Sequence, residues 1–159
     1  MQPDISVVIP TYNRHKFLEE AIQSCFHGND GSVVEVVVVD DGSTDGTREY
    51  LQQLSEQRVR PIYQEHQGGQ VARNRGLDEA QGEYVKFLDD DDWLAAGTLQ
   101  KEVALWREEG ADMCSGGCQF VDREEEPLGD PDFPQFEDLL VGCFEGAVGP
   151  QPLRHTYQT

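Results

Sequence analysis

The sequence predicts an α/β protein in which a mostly parallel sheet carries helices on both faces. Short apolar, β-branched runs alternate along the chain with longer stretches whose apolar residues recur at helical spacing. Polar loops with side chains able to do chemistry directly follow several of the apolar runs. Strands separated by helices are typical of parallel sheets, which bind ligands beyond the carboxyl ends of their strands. The 159 residues suit one domain.

The first three predicted elements are a strand, a helix and a second strand. The first strand is the β-branched run Ile5–Ile9, which Pro10 stops. A helix follows because apolar residues recur between Phe17 and Phe26 at intervals of three and four, until the glycines at 28–31 break it. The second strand is Val33–Val39, whose continuous apolar character indicates burial on both faces.

The later elements follow from turn residues and from the return of helical spacing. Ser43, Thr44 and Asp45 can cap a second helix at its free amides, and Gly68-Gly69 opens a third. In order, the prediction is a helix from about Asp45 to Leu54, a strand over Val59–Tyr63, a helix through Ala80, a strand over Tyr84–Leu88 and a helix from about Gly97 to Glu109. Beyond Met113 the pattern weakens to a fifth strand within 112–121, a solvated loop over 124–134 and a short helix over 136–144.

The composition excludes several classes of partner. A net charge of −19 repels nucleic acid and anionic lipid headgroups, so an anionic substrate would need a metal ion or a local basic patch. No apolar stretch approaches the roughly 20 residues that span a bilayer, and no signal peptide opens the chain. The four cysteines lack the spacing of a zinc site and are expected to be buried thiols. We therefore expect a cytoplasmic protein, able to work at the cytoplasmic face of a membrane.

The acidic run Asp89–Asp92 is the strongest candidate for a metal site. Four consecutive carboxylates repel one another, and Mn²⁺ or Mg²⁺ prefers oxygen ligands, often one or two carboxylates completed by substrate phosphates. Such a cation would neutralise a departing diphosphate. The alternative is a solvated acidic turn that caps the next helix. The apolar residues on both sides of the run favour the metal site.

A second acidic loop begins at Asp40 and Asp41. It partly matches a calcium-binding loop, but its twelfth position is Gln52 where a bidentate glutamate is needed, so calcium is excluded. A carboxylate at the end of a strand can instead accept a hydrogen bond from the ring N–H of a base such as uracil. The alternative role, a helix N-cap, applies to Asp45 and stays open for Asp41.

Three further side chains could bind a nucleotide. Tyr12 follows the first strand, where its ring could stack on a base or could equally pack against the protein. Arg73 and Arg75 lie near the start of a helix, and an arginine fork suits phosphate oxygens. Exposure to solvent is the alternative for both arginines, and the spacing alone does not choose between them.

Four segments, taken in order, resemble the motifs of family 2 glycosyltransferases. These segments are Ser6–Arg14, Val38–Asp45, Ala72–Leu77 and Gly82–Trp93, and the resemblance covers roughly residues 4 to 110. It implies the GT-A fold, with a Rossmann-like sheet, as one nucleotide-sugar-binding domain over residues 1–159. It also implies that the acceptor-side portion, after about residue 122, is incomplete.

The resemblance implies a function and a set of site residues. The family transfers a sugar from a nucleotide diphosphate donor with inversion; here it implies a UDP-sugar, Mn²⁺ or Mg²⁺, and a glycan or lipid-linked acceptor of cell-wall or polysaccharide biosynthesis. The implied nucleotide-sugar site comprises Pro10, Thr11, Tyr12, Arg14, Asp40, Arg73 and Asp90. Tyr12 would stack on the base, Asp40 would accept the uracil N–H, and Asp91, with Asp89 as a second candidate, would bind the metal.

The general base is the one part of the family pattern that the chain does not supply clearly. Inverting transfer needs a carboxylate to deprotonate the acceptor hydroxyl, and the family places it well downstream of the metal motif. The pair Glu137-Asp138 lies close to the acidic run, which leaves Asp138 as a candidate and implies that the true base lies further on. Two functions remain open: a metal-assisted transferase, and a fragment that binds the donor without transferring sugar.

Overall fold

The computed structural model describes residues 2–29 and 32–110, together with two short strands further along the chain. The strands are β1 (Ile5–Thr11), β2 (Val34–Asp40), β3 (Val59–Tyr63), β4 (Tyr84–Phe87), β5 (Met113–Gly116) and β6 (His155–Gln158). The helices are α1 (His15–Ser24), α2 (Thr47–Gln53), α3 (Gly69–Glu79) and α4 (Thr98–Glu109). None of the helices in these ranges is long and apolar enough to cross a bilayer.

The sheet is parallel, with strand order β3-β2-β1-β4-β6-β5. From β1 the chain moves outward through β2 and β3, and then returns to place β4 on the other side of β1. Parallel sheets form their ligand crevice where the direction of winding reverses in this way, at the carboxyl ends of the two strands concerned. The sheet confirms the predicted fold class and locates the crevice between the ends of β1 and β4.

Helices cover both faces of the sheet, as the sequence predicts. Side chains alternate across a strand, so β1 directs Val7 to one face and Val8 to the other. On the first face the core includes Leu18 of α1, Leu51 of α2 and Trp106 of α4. The second face packs against α3, which contacts β1 and β2. Each strand of the centre is therefore buried on both sides, which explains its continuous apolar sequence.

Helix α3 lies unusually close to the sheet because residue 76 has no side chain. A Cβ at Gly76 would lie 2.3 Å from Cγ1 of Val8 and 3.2 Å from Cγ2 of Val39, closer than side-chain carbons approach one another. The glycine therefore allows α3 to rest directly on β1 and β2. This contact fixes the start of the helix, and with it Arg73, beside the crevice.

A buried ion pair joins β4 to α4. Lys86 has no exposed surface, and its Nζ donates to both carboxylate oxygens of Glu102, at 2.8 and 2.9 Å. A buried charge is tolerated only when it is paired and hydrogen-bonded, as it is here. The pair fixes α4 against the strand that leads into the acidic run.

Pro10 does not stop β1, contrary to the prediction, and the strand continues to Thr11. The carbonyl of Val8 accepts from the amide of Leu88 on the β4 side, and residues two apart in a strand point the same way. The nitrogen of Pro10 therefore faces the β4 side of the sheet. It lies beyond the last residue pair between β1 and β4, which Val8 forms with Phe87. A proline is acceptable there because no neighbour needs its missing N–H.

The other boundaries differ from the predictions by a few residues, except near the end of the chain. Helix α2 begins at Thr47 rather than Asp45, with Gly46 at the N-cap position in a left-handed conformation. Asp45 lies just before the cap and accepts hydrogen bonds from the amide and the hydroxyl of Thr47, at 3.1 and 2.6 Å. Cys25 is buried as expected, and burial raises the pKa of its thiol to about 12. Strand β6 was not predicted. The predicted loop over 124–134, the helix over 136–144 and Asp138 lie outside the described residues.

Candidate functional site

The loops that follow β1, β2, β3 and β4 meet around a cleft of about 420 Å³ at the carboxyl edge of the sheet. Its lining residues are Pro10, Thr11, Tyr12, Arg14, Asp41, His66, Gly69, Ala72, Arg73, Asp89, Asp90 and Asp91. With the exception of Asp40 and Asp138, the site residues predicted from the sequence thus line this one cleft. We call this the nucleotide cleft, after the binding site that the sequence predicts.

Asp90 and Thr11 join the ends of β1 and β4 at the floor of the nucleotide cleft. The Thr11 hydroxyl donates to Oδ2 of Asp90 at 2.7 Å, and only 6% of Asp90 is exposed. Burial raises the pKa of Asp90, while the Thr11 hydrogen bond and the charge of Arg14 oppose that rise. Asp90 is therefore a fixed, inward-facing group with little freedom to move towards a ligand.

Two arginines pair with the exposed aspartates on either side of Asp90. Arg14 hydrogen-bonds Asp91, and Arg73 hydrogen-bonds Asp89. Arg14 also lies 3.5 Å from Oδ1 of Asp90, and the charges of Asp91 and Asp90 raise the pKa of its guanidinium. These pairs compensate part of the repulsion within the acidic run, and they place two cations at the point where a diphosphate would need them.

The carboxylates of the acidic run fit a divalent cation that shares its coordination with a ligand. Among the residues that the structure describes, no three acidic, histidine or cysteine side chains form a group able to hold a metal ion. Asp91 and Asp89 are about half exposed, at 47% and 51%, and both face the nucleotide cleft. A site with one or two carboxylates and substrate phosphates is usual for Mg²⁺, and Asp89 and Asp91 are the residues of the run that such a site would use.

Asp40, which the resemblance assigned to the base, does not line the nucleotide cleft. The side chain has no exposed surface; Oδ1 accepts from the amide of Ser43 at 2.8 Å, and Oδ2 lies 3.6 Å from Nε of Arg48. As the last residue of β2, Asp40 points into the protein. Asp40 therefore lies behind the residues that line the cleft, and its assignment to the base stays a prediction from the resemblance.

The neighbouring carboxylate, Asp41, does line the nucleotide cleft. Its Oδ1 accepts from Nε2 of Gln64 and the amide of Gln67, at 2.7 and 2.8 Å, and its Oδ2 accepts from the amide of Gly68 at 2.8 Å. Burial raises the pKa of Asp41, but these hydrogen bonds outweigh burial and leave the pKa below its usual range. Asp41 is therefore a stable anion, and it connects the loop after β2 to the start of α3 rather than capping α2.

Tyr12 and His66 form an aromatic pair at one end of the nucleotide cleft. Their rings stack with centroids 4.1 Å apart and an interplanar angle of 25°, and Nδ1 of His66 lies 2.9 Å from Oδ2 of Asp41. Tyr12 is 43% exposed, so its ring is a surface rather than a core group. His66 was not predicted from the sequence; the available signal was its place in the loop after β3, a strand that ends at the same edge of the sheet.

Asn13 was also missed, and it ties together the loops after β1 and β2. Its backbone is left-handed, with φ of 56°, which is uncommon for a residue other than glycine. The amide of Asn13 donates to Oγ of Ser43 at 2.9 Å, and Oδ1 of Asn13 accepts from the amide of Thr44 at 2.7 Å. This reciprocal contact fixes the position of Tyr12 relative to Asp41.

The structure distinguishes the roles of Arg73 and Arg75, which their spacing in the sequence does not. Arg73 lines the nucleotide cleft, whereas Arg75 points along the surface of α3 and pairs with Glu79 one turn later, at 3.1 Å. Arg75 is therefore a surface residue.

Comparison with known proteins agrees with this geometry. The family model described as Glycosyl transferase family 2 matches residues 6–149. The putative teichuronic acid biosynthesis glycosyltransferase TuaG of Bacillus subtilis is 33% identical over 153 residues, which covers 89% of this chain and 60% of TuaG.

Two solved structures resemble the fold. S. aureus TarS 1-349 in complex with UDP-GlcNAc matches with a TM-score of 0.59 and 30% identity, over 76% of this chain and 37% of TarS 1-349. The mannosyltransferase PcManGT from Pyrobaculum calidifontis, in complex with GDP-Man and Mn²⁺, matches with a TM-score of 0.54 and 33% identity, over 67% of this chain and 33% of that protein. This chain thus spans 60% of the length of TuaG, 37% of TarS 1-349 and 33% of PcManGT.

Proposed function

This chain belongs to glycosyl transferase family 2 and has the GT-A fold, and from that premise we propose that it binds the donor of a UDP-sugar-dependent glycosyl transfer. The observation that carries the proposal is the nucleotide cleft, where an aromatic ring, a stable anion, two arginines and exposed carboxylates share one wall. The complex of TarS with UDP-GlcNAc supports a nucleotide-sugar donor. The description of TuaG supports an acceptor among cell-envelope glycans.

The base end of the donor is assigned to Tyr12 and Asp41. The exposed ring of Tyr12 offers a stacking surface, and the carboxylate of Asp41 can accept the hydrogen bond of the uracil ring N–H. Because the pKa of Asp41 is lowered, the group is an acceptor at neutral pH. We transfer the role that the resemblance gave to Asp40 to Asp41, on the ground that Asp41 reaches the cleft.

The diphosphate end is assigned to Arg14, Arg73 and the acidic run. The two arginines already bind carboxylate oxygens, and phosphate oxygens present the same kind of acceptor to a guanidinium fork. A divalent cation, Mn²⁺ or Mg²⁺, would be bound by Asp91 with Asp89 as a second ligand, and it would neutralise the charge of the departing diphosphate. Asp90, hydrogen-bonded to Thr11, orients the loop that carries both ligands.

Transfer with inversion also needs a general base for the acceptor hydroxyl. The acids that line the nucleotide cleft already have partners: Asp41 has backbone amides, Asp90 has Thr11, and Asp89 and Asp91 have arginines. We propose that the base is a carboxylate outside the described residues. Asp138 remains the prediction within this chain.

Isothermal titration of the chain with UDP, with and without Mn²⁺, tests the proposal. We expect Mn²⁺ to tighten UDP binding by about tenfold or more, since the cation removes the repulsion between the acidic run and the diphosphate. Asp91→Asn should abolish this gain. Asp78→Asn, a matched change of an exposed aspartate on α3 outside the cleft, should leave it unchanged. Equal, negligible heats with and without Mn²⁺ would contradict the proposal.

A second candidate function is a donor-binding module without transfer. It is favoured by the observation that every acid lining the nucleotide cleft is already paired. Release of UDP from UDP-GlcNAc, with water or an added glycan as acceptor, distinguishes the two. Turnover above the rate of the Asp91→Asn variant would exclude the module, while tight UDP binding without turnover would favour it.

A further inference from the structure

We propose that a second cleft of this protein binds a neutral glycan, with the indole of Trp93 as its platform. This glycan cleft has a volume of about 660 Å³, and its walls include Glu20, Gln23, Phe26, His27, Trp93 and Leu94. It shares no lining residue with the nucleotide cleft, yet its wall begins only two residues after Asp91 on the same loop. The loop that carries the acidic run thus takes part in two separate clefts.

Hydrogen bonds hold the backbone on both sides of the exposed Trp93. Leu94 is 2% exposed in the core, and its amide donates to Oγ of Ser24 at 3.0 Å. The amide of Asp92 donates to the carbonyl of Asp89 at 3.1 Å, which closes a turn before Trp93. The backbone is thus held on both sides of Trp93, whose side chain is 46% exposed. An aromatic side chain has only two χ angles to order when a ligand binds, and this favours binding.

The opposite wall, at the end of α1, is fixed in the same way. The carbonyl of His27 accepts from the amide of Gly97 at 3.0 Å, and Oδ1 of Asn29 accepts from the amide of Gln100, also at 3.0 Å. Gly28 has a φ of +68°, and a Cβ there would lie 2.9 Å from the nitrogen of Gly97. The turn after α1 and the loop before α4 are therefore packed backbone to backbone. The backbone beneath this wall of the glycan cleft is therefore fixed by the fold.

The polar groups of the glycan cleft suit hydroxyl groups. Within the described part of the chain, the side chains of Glu20 and His27 make no hydrogen bond, and Gln23 donates only to Glu19, at 3.2 Å. A carboxylate, a carboxamide and an imidazole beside an exposed indole match a pyranose, whose C–H face packs on an aromatic ring while its hydroxyls hydrogen-bond to polar groups.

Charge favours a neutral glycan over an anionic one. No lysine or arginine is among the described residues that line the glycan cleft, Glu20 contributes a negative charge, and the chain as a whole carries −19. An acidic sugar or a phosphate would meet repulsion without a compensating cation. A neutral sugar avoids this cost.

The location of the glycan cleft also points to a role in transfer. The sugar of a bound donor lies at the diphosphate end, which the acidic run marks, and Trp93 follows that run directly. A glycan bound to Trp93 would therefore lie against the same loop as the donor diphosphate, which is consistent with the role of an acceptor. This part of the inference depends on the proposed function, whereas binding of the glycan to Trp93 does not.

The two indole groups of the chain allow a direct test by NMR. Trp106 is 1% exposed and stacks on Tyr84, so Trp93 is the accessible one. In ¹H–¹⁵N spectra of the 159-residue chain, chitotriose and maltotriose serve as neutral probes and trigalacturonate as the anionic one. We expect at least one neutral probe to shift the Trp93 indole signal and to leave that of Trp106 in place.

Variants check that the cleft itself binds the probe. Trp93→Ala, followed by calorimetry, should weaken binding by about tenfold, the value of a lost aromatic contact. Glu20→Gln keeps the Trp93 signal and changes the affinity if Glu20 faces the sugar. Phe17→Ala removes an exposed aromatic of α1 that lines neither cleft, and it should leave binding unchanged.

A parallel titration with UDP separates this inference from the proposed function. Trp93→Ala should bind UDP as the unchanged chain does. If UDP binds but both neutral probes leave the Trp93 signal in place up to about 20 mM, the glycan cleft is refuted and the donor proposal stands. If the probes shift Trp93 but UDP does not bind, the glycan cleft stands and the transferase proposal fails. A shift with trigalacturonate alone would refute a neutral ligand.

Discussion

At the scale of single residues, the site depends on which way each carboxylate points. Asp40 and Asp41 are adjacent and both buried, at 0% and 2% exposed, yet only Asp41 lines the nucleotide cleft. Asp40 ends a strand whose side chains alternate between two covered faces, and Asp41 begins the loop. Backbone amides of Gln67 and Gly68 then hold Asp41 as an anion at the edge of the cleft.

Replacing Asp41 by asparagine should cost stability in a pH-dependent way. The folded-state pKa of Asp41 is lowered, so its charge stabilises the fold above the unfolded pKa of about 3.9, and this contribution fades as the pH falls below that value. We expect Asp41→Asn to lower the free energy of unfolding by about 1–3 kcal/mol at pH 7, because its amide would face backbone donors, and by less at pH 3. Urea denaturation at both pH values measures this, with Asp78→Asn as the neutral comparison. An equal loss at the two pH values would contradict the linkage.

Some residues of the nucleotide cleft were predictable from the sequence, because their chemical type is unusual for their place along the chain. The acidic run and Tyr12 were found because each follows a recognisable strand, and Arg73 was singled out by the family resemblance. His66 and Asn13 were missed because their contribution is geometric: one stacks on Tyr12, and the other joins two loops. Such contacts depend on which loops become neighbours, and a linear pattern does not contain that information.

At the scale of elements, the position of α3 decides where Arg73 lies. The helix can approach β1 and β2 only because Gly76 has no side chain at the point of closest contact. Arg73 lies one helical turn before that contact, on the end of the helix that opens into the nucleotide cleft. Packing in the core and geometry in the site are therefore coupled through one helix.

We expect Gly76→Ala to destabilise the protein and to weaken UDP binding together. The added methyl group would lie 2.3 Å from Cγ1 of Val8, so the helix must move away, at a cost of about 1–3 kcal/mol for an overpacked core. Gly69→Ala is a suitable control for stability, since the only atom within 4 Å of its Cβ would be the flexible end of Arg73, at 3.3 Å. Thermal unfolding and UDP calorimetry measure both effects. A variant as stable as the original chain would show that α3 does not rest on the sheet at Gly76.

The order of elements was predictable, because continuous apolar runs follow from burial of a strand on both faces and helical spacing follows from burial of one face. The boundaries were less predictable: Pro10 continues β1 where its nitrogen faces no partner, and Asp45 precedes the N-cap of α2 rather than starting the helix. The pair Lys86–Glu102 was not predicted either, because a lysine within a strand gives no sign of an acid on a distant helix. Tertiary pairing decides these features.

At the scale of the whole molecule, a strongly acidic chain carries the cleft that we propose binds an anionic nucleotide. The chain has 31 acidic and 12 basic residues, and two of its arginines face the nucleotide cleft. The long-range field therefore opposes the approach of a nucleotide, and the local arginines favour its binding. The balance between the two terms depends on ionic strength.

Salt should tighten metal-free UDP binding. Raising the ionic strength from about 0.01 to 0.15 M shortens the Debye length from about 30 to 8 Å, which screens the distant acids more than the arginines in contact with the phosphates. We expect the affinity for UDP without Mn²⁺ to rise severalfold over this range, as measured by calorimetry. A fall in affinity would mean that attraction by Arg14 and Arg73 outweighs the field of the whole surface.

The contact between Thr11 and Asp90 spans 79 residues of sequence. A ribosome makes β1, β2 and β3 well before it makes β4, so a growing chain can pair its first three strands while one wall of the cleft does not yet exist. Contacts between distant residues form slowly because closing a long loop costs entropy. During synthesis the protein should therefore become compact first and competent to bind a nucleotide only after the acidic loop has emerged and docked beside the first strand.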